Sequence, residues 1–364
     1  MLVKPRRYRS TYGSRPLALA ARVISPAPRQ VWEETLASDS TALVSQSPAW
    51  LDCLCASGGY EDASRLYELP AGRRLLLPMV RRGYGEGLLA IEASFPPSWG
   101  TGGVIASGGV CAEDLAAVFA DLAGRRVMRA SIRPNPVSNA AWAKVSPPWA
   151  ANVPRLAHVL DLEGGFGRVW GKRFTGSARR AVRKAEGAGL TVECDTTGRR
   201  MTEFYELFER SLERWARQQH EPAALARWRG HRRDPLRKLQ VIAARLADRS
   251  RVWVAWRAGE LAAAIVVLQD ANANYTRGAM DKELAGPTRA NYLLQQLAIE
   301  QACEAGCRHY HMGESGTSAS MAQFKTRFGA RPFPYAEYHL ERLPLTAADH
   351  HLRTAVKRIL RFRD

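Results

Sequence analysis

Residues 289–329 read RANYLLQQLAIEQACEAGCRHYHMGESGTSASMAQFKTRFG, and their reading decides the fold of the second half of the chain. The Leu-rich run over 289–305 reads as a helix. Gly306 is its stop, because glycine readily takes the left-handed backbone that closes a helix end. Residues 308–312 then read as a strand, 318–328 as a short helix stopped by Gly329, and 335–343 as a last strand. Upstream, 251–256 and 261–269 form a hairpin around Gly259, followed by a strand over 274–280 and a loop containing Gly286-Pro287. Helices precede the hairpin at 174–187, 201–218 and 234–248. The middle one places Phe204, Leu207, Phe208, Ser211 and Leu212 along one side at helical spacing.

The first half repeats the plan. Short helices are expected over 31–36 and 48–57, strands over 66–69 and 74–82, a turn over 83–87 and a strand over 88–93. A Pro/Gly loop with Trp99 leads to a helix over 113–123, whose Leu115, Val118, Phe119 and Leu122 recur at helical spacing. A strand over 127–132 ends at Arg133-Pro134-Asn135-Pro136. A Pro/Trp-rich stretch over 147–154 then leads to a strand over 157–161, and the domain boundary is expected there. This gives four segments: a basic, disordered tail over 1–16, a domain over 17–155, a second over 156–345, and a basic C-terminal helix over 346–364.

Composition narrows the function classes. The 364 residues suit two domains, and 46% hydrophobic with 24% charged residues is globular composition. No apolar run reaches the roughly 18 residues of a membrane span. The apolar stretch 17–24 is short and interrupted by Arg22, so no signal peptide is expected. Six cysteines without a CxxC pair do not make a disulfide framework. A cytoplasmic monomer is the expectation. The formal net charge is +18, and residues 1–15, 164–238 and 350–364 carry all of it at +5, +9 and +4. Positive charge gathered in two tails and one block suits a polyanion: nucleic acid, an anionic membrane surface or phosphorylated substrates. An Arg-rich solvated surface is the alternative.

Three stretches of the second half carry a resemblance. They are Ser177-Ala178-Arg179-Arg180-Ala181-Val182-Arg183-Lys184-Ala185-Glu186 with Gly189-Leu190-Thr191-Val192, then Phe204-Tyr205-Glu206-Leu207, then Tyr310-His311-Met312-Gly313-Glu314-Ser315 with Phe324-Lys325 and Phe328-Gly329. Together with Pro48-Ala49-Trp50-Leu51 and Leu77-Pro78-Met79-Val80 they resemble the FemAB/FemX family and its acetyltransferase-like relatives. The order of elements resembles that of GNAT domains. The resemblance implies an α/β (α+β) chain of two tandem GNAT-like domains with mixed central sheets. It also implies an N-acyltransferase that moves an aminoacyl group from aminoacyl-tRNA to an amine, on a peptidoglycan precursor or a natural-product intermediate. Alternatives are an acyl-CoA-dependent enzyme on the same fold and a non-catalytic RNA- or membrane-binding protein.

An acyl-CoA site needs a small-residue loop whose amides wrap a pyrophosphate at a helix start. Counted from Arg289, the two small-residue positions hold Tyr292 and Leu294, whose side chains obstruct that approach. This favours aminoacyl-tRNA as donor, acyl-CoA as the alternative, and no resident cofactor. The first candidate catalytic residue is Lys325, a cation for the tetrahedral oxyanion, with Phe324 beside it against the donor. The alternative is a solvated lysine on a helix that buries Met321, Phe324 and Phe328. Glu314 suits a general base and Tyr275 a proton donor, or else a packing residue. Arg179 with Arg183 and Arg180 with Lys184 share helix faces at i,i+4. The resemblance assigns such a helix to the acceptor's phosphates, and a solvated basic helix is the alternative. Arg289, Asn291 and Ser315 complete the candidate substrate-binding set. Trp215 and Trp228 interleave with Arg214, Arg217, Arg227, Arg229, Arg232 and Arg233, which suits RNA or a packed core under a basic surface. Cys303, Cys307, His309 and His311 are not expected to converge on a metal. The expected partners are tRNA, an anionic or phosphorylated acceptor and, peripherally, an anionic membrane.

Overall fold

The computed structural model describes residues 21–83, 87, 89–316, 318–349 and 351. The basic tail expected over 1–16 and the apolar-striped part of the C-terminal helix, 352–364, lie outside these residues. The first half runs β1 (Arg22–Ile24), α1 (Arg29–Ser38), α2 (Pro48–Ala56), β2 (Glu61–Asp62), β3 (Arg65–Glu68), β4 (Arg74–Leu77), β5 (Val80–Arg82), β6 (Ile91–Ser94), β7 (Ile105–Ala106), α3 (Ala112–Gly124), β8 (Arg129–Ile132) and α4 (Asn139–Val145). The long strand β9 (Ala151–Asp161) leads into α5 (Gly165–Arg168), which continues as a π-helical turn over Val169–Arg173. Then come α6 (Gly176–Glu186), β10 (Leu190–Asp195), α7 (Met201–Gln219), α8 (Ala223–Arg233), α9 (Leu236–Leu246), β11 (Ser250–Arg257), β12 (Glu260–Gln269) and β13 (Ala273–Met280). The chain closes with α10 (Lys282–Thr288), α11 (Ala290–Glu304), β14 (His309–Glu314), α12 (Ala319–Arg327) and β15 (Arg331–Glu341).

Among the described residues, eleven strands form one mixed sheet in the order β10-β11-β12-β13-β14-β9-β15-β8-β6-β5-β2, and β1-β3-β4-β7 form a second, smaller sheet. The last strand joins the two halves. Along β15, Arg331 opposes Val159 and His339 opposes Ala151 of β9, while Tyr338–Glu341 also pair with β8 on the other edge. The boundary expected near residue 155 falls inside β9. One hydrophobic cluster crosses between the halves as well: Trp50, Leu51 and Phe95 pack with Ile242, Leu246 and Leu268.

Two elements differ from the sequence reading. The single strand expected over 74–82 is two strands in different sheets, β4 in the small one and β5 in the large one. Pro78 lies between them and has no N–H to give a ladder, so the chain changes sheets there. The loop expected around Gly286-Pro287 is instead helix α10, started by the Asp281 side chain, which accepts from the Glu283 and Leu284 amides. Arg289 then turns left-handed at φ 59° and α11 begins. Among the described residues, no helix is long and apolar enough to cross a membrane.

Candidate active site

The strands β13 and β14 are parallel and paired only at Ala273 with Tyr310 and Asn274 with His311. Beyond that point they part, and β14 also shifts register against β9 between His311 and Glu314. The unpaired ends, Tyr275–Gly278 and Met312–Glu314, border a cavity of about 510 Å³ that Ser98, Trp50 and Arg133 of the first half also line. A parallel pair that separates is a natural pocket, because the backbone groups of both free edges face the gap.

Lys325 of α12 lines this cavity although it is only 2% exposed. Its Nζ donates to the carbonyls of Gly313 at 3.0 Å and Glu314 at 2.7 Å. Burial pulls its pKa down to about 8, against the opposing pull of Glu314. An ammonium has three N–H donors, so two fix the side chain and one is left for the cavity. The alternative of a solvated lysine over a buried Met321 does not hold: Lys325 is the buried residue of α12, and Met321 is 49% exposed and lines the cavity.

Glu314 follows on β14. Its Oε1 accepts from the Tyr335 hydroxyl at 2.5 Å, and its Oε2 is 3.6 Å from Arg155 Nη1. Burial, and then the neighbouring Glu314, push the Tyr335 hydroxyl far above its ordinary range, so it stays a donor. Arg155 and Arg133 each give an Nη2 bond of 2.8 Å to Glu337 Oε2 on β15. The joined strand thus supplies part of the charge frame around Glu314. Tyr275 of β13 lines the opposite wall, its hydroxyl pushed up to about 12 by burial. It lies over Gly278, where even a Cβ would collide with that hydroxyl.

The other expected residues are spread out. Ser315 is buried, with Oγ 3.2 Å from Nδ1 of the buried His158. Phe324 packs on Tyr292 and Phe328, with ring centroids 5.1 and 5.2 Å away, on the α11 side of the helix. Arg289 is exposed between α10 and α11, and Asn291 bonds the Met280 sulfur. Arg179 turns inward and donates to the carbonyls of Trp170, Gly171 and Phe174. Arg180, Arg183 and Lys184 are exposed on α6. The structure therefore gathers Lys325, Glu314 and Tyr275 at one cavity, with Ser315 and His158 just behind it. It places Phe324, Arg289, Asn291 and the α6 cations elsewhere.

A second group on the cavity wall went unread in the sequence. The Asp234 carboxylate, 1% exposed, is 2.9 Å from Lys238 Nζ, 2.8 Å from Arg277 Nη2 and 3.0 Å from Arg233 Nε. Lys238 and Arg277 both also donate to the Ser98 carbonyl of the first half, at 2.9 and 3.2 Å. Lys238 stands 4.2 Å over the Trp99 ring, and burial lowers its pKa to about 8 against the pull of Asp234. The i,i+4 spacing of Asp234 and Lys238 was a visible signal; their meeting with Arg277 depends on the fold. His311 also lines the cavity, 4% exposed, with no partner for Nε2. Burial, then His309, pull its pKa down to about 3, so the ring is neutral at ordinary pH.

Residues 172–326 match the family model for the acetyltransferase (GNAT) domain. The whole chain resembles the crystal structure of FemX with a TM-score of 0.62 at 11% identity, covering 90% of this chain and 99% of that one. It resembles a conserved protein of unknown function from Bacteroides thetaiotaomicron with a TM-score of 0.53 at 10% identity, covering 88% and 98%. No curated protein matches the sequence. At such identities the likeness establishes the fold of two GNAT-like units, as the sequence reading expected, and the cavity between the free ends of β13 and β14 belongs to the matched GNAT region. Residues 172–326 thus carry a GNAT acetyltransferase domain by their match to its family model, and the chain as a whole has a fold similar to that of FemX.

Proposed function

We propose that this enzyme transfers an aminoacyl group from aminoacyl-tRNA to the amine of an anionic or phosphorylated acceptor. The acceptor amine attacks the ester carbonyl, a C–N bond forms, the C–O bond to the terminal ribose breaks, and the ribose hydroxyl leaves with a proton. Lys325 gives its remaining N–H to the tetrahedral oxyanion in a site that burial makes electrostatically strong. Glu314, held by Tyr335, accepts the proton that the amine nitrogen sheds as its bond to the carbonyl carbon forms. Tyr275, which burial keeps protonated, gives its proton to the departing ribose oxygen.

The observation that carries the choice of donor is the start of α11. A CoA pyrophosphate needs open backbone amides there. Here α10 runs up to Arg289, the Tyr292 amide is bonded to the Arg289 carbonyl at 2.8 Å, and the Tyr292 ring is packed between Phe324 and Phe328. The +18 charge of the chain suits a polyanionic donor in the same way. A second reading, transfer from acyl-CoA, is favoured by the match of 172–326 to the acetyltransferase model. Radiolabelled aminoacyl-tRNA and acetyl-CoA, offered separately with a mixture of amine acceptors, distinguish the two. Loss of label from charged tRNA supports the first reading, and loss from acetyl-CoA alone overturns it.

A further inference from the structure

Helix α8 is held to the body by one face. Gly230 lies against Leu212 of α7 so closely that a Cβ would collide with it, and Ala226 is buried beside it. The other face carries Arg227, Trp228, Arg232 and Arg233 to solvent. Trp228 is 56% exposed and belongs to none of the hydrophobic clusters, so packing does not account for it. The Arg232 guanidinium stands 5.4 Å from its ring centroid, and Arg214 repeats the arrangement at 5.8 Å over Trp215. Trp215 and Arg233 both line the cavity, and Arg232 directly precedes Arg233 on α8.

Part of the charge around them is paired: Arg227 meets Glu213 at 3.0 Å, Arg229 meets Glu221 at 2.6 Å, His231 meets Glu209 at 3.0 Å, and Asp234 is engaged with Arg233, Lys238 and Arg277. Among the described residues, Arg217, Arg232 and Arg237 are exposed and have no carboxylate within the 4.0 Å of an ion pair. Indole faces bordered by free guanidinium groups suit nucleotides, because bases stack on the rings while phosphates meet the cations. A membrane surface wants a continuous apolar face, and Trp228 is the one large apolar residue that α8 exposes.

We propose that α8 is the docking surface for the single-stranded 3′ end of the donor RNA, with bases stacking on Trp228 and Trp215 and phosphates meeting Arg217, Arg232 and Arg237. The strand then passes Arg233 into the cavity. This rests on the aminoacyl-tRNA reading and names where that donor is held.

The test uses a fluorescein-labelled single-stranded RNA octamer ending in CCA, titrated by anisotropy into the full chain. Trp228→Ala should weaken binding about tenfold with an unchanged melting temperature, in line with the loss of one stacked base. Arg232→Ala should flatten the log–log salt slope by about 0.7. Octamer binding that is undetectable in the wild type, or equal in Trp228→Ala, overturns the proposal. So does Trp228-dependent binding to phosphatidylglycerol vesicles with no RNA binding. Charged tRNA separates the surface from the donor reading. If it is consumed with an unchanged KM in Trp228→Ala, the surface falls and the donor reading stands. If octamer binding needs Trp228 but charged tRNA is never consumed, the surface stands and the donor reading falls.

Discussion

At the scale of single residues, the site depends on how burial is shared between Lys325 and Glu314. If the Lys325 cation stabilises the oxyanion, its protonated form is the active one. With its pKa lowered to about 8, activity should be full below that value and fall as pH rises through it. Lys325→Arg should carry the same charge and move the falling limb beyond pH 10, since a guanidinium does not titrate there. A limb that stays near 8 in that variant belongs to another group, Lys238 being the first alternative. Gly278→Ala tests the opposite wall. The new methyl displaces the Tyr275 hydroxyl, so kcat should fall about tenfold or more with little change in KM. An unchanged kcat would remove Tyr275 from the reaction. In the sequence, Lys325 stands out through the resemblance of the Phe324-Lys325 pair, and Glu314 and Tyr275 through their places on strands beside a Gly/Ser loop. The burial of Lys325 does not, because two backbone carbonyls on another element create it.

At the scale of elements, α6 divides into two kinds of arginine. Arg179 closes the preceding π-helical turn by donating to three carbonyls. Arg179→Ala should therefore cost about 1 kcal/mol of stability, because these partly buried and exposed acceptors lose a charged donor that water only partly replaces. Arg180→Ala with Arg183→Ala should leave the melting temperature unchanged, since both are exposed. If α6 contacts the acceptor's phosphates, that double variant should raise the acceptor KM and leave the donor KM alone. Chemical denaturation and two substrate titrations check these outcomes. Helical periodicity located α3, α6, α7, α9, α11 and α12 well. It missed the short α4 and α5 as well as α8 and α10, where Arg-rich or Gly-Pro sequence hides a helix that its neighbours stabilise. The i,i+4 pairing also put Arg179 and Arg183 on one outward face, whereas tertiary contacts turn Arg179 inward.

At the scale of the molecule, β15 and the Asp234 group weld the two units. The β15 strand pairs with β8 of the first half on one edge and, on the other, with β9, in which the expected boundary falls, and Asp234 neutralises cations that also bond Ser98 of the first half. Removing that carboxylate leaves buried cations unpaired, so Asp234→Asn should destabilise by roughly 3–5 kcal/mol. It should shift both units together in a single transition; two separate transitions would contradict the weld. The tandem architecture was legible from the repeated order of helices and strands. The crossing of β15 into the first unit's sheet was not, because long-range strand pairing leaves no local periodicity.

We propose that the cavity between β13 and β14 moves an aminoacyl group from charged tRNA with Lys325 as its cation. The most direct test is single-turnover deacylation of radiolabelled aminoacyl-tRNA at pH 7, with an amine acceptor present, for wild type and Lys325→Ala in parallel. Acceptor-dependent transfer of label is expected from the wild type, with a loss of at least a hundredfold in a Lys325→Ala protein that is still folded. Equal rates in the two proteins, or label leaving acetyl-CoA but never tRNA, would contradict it.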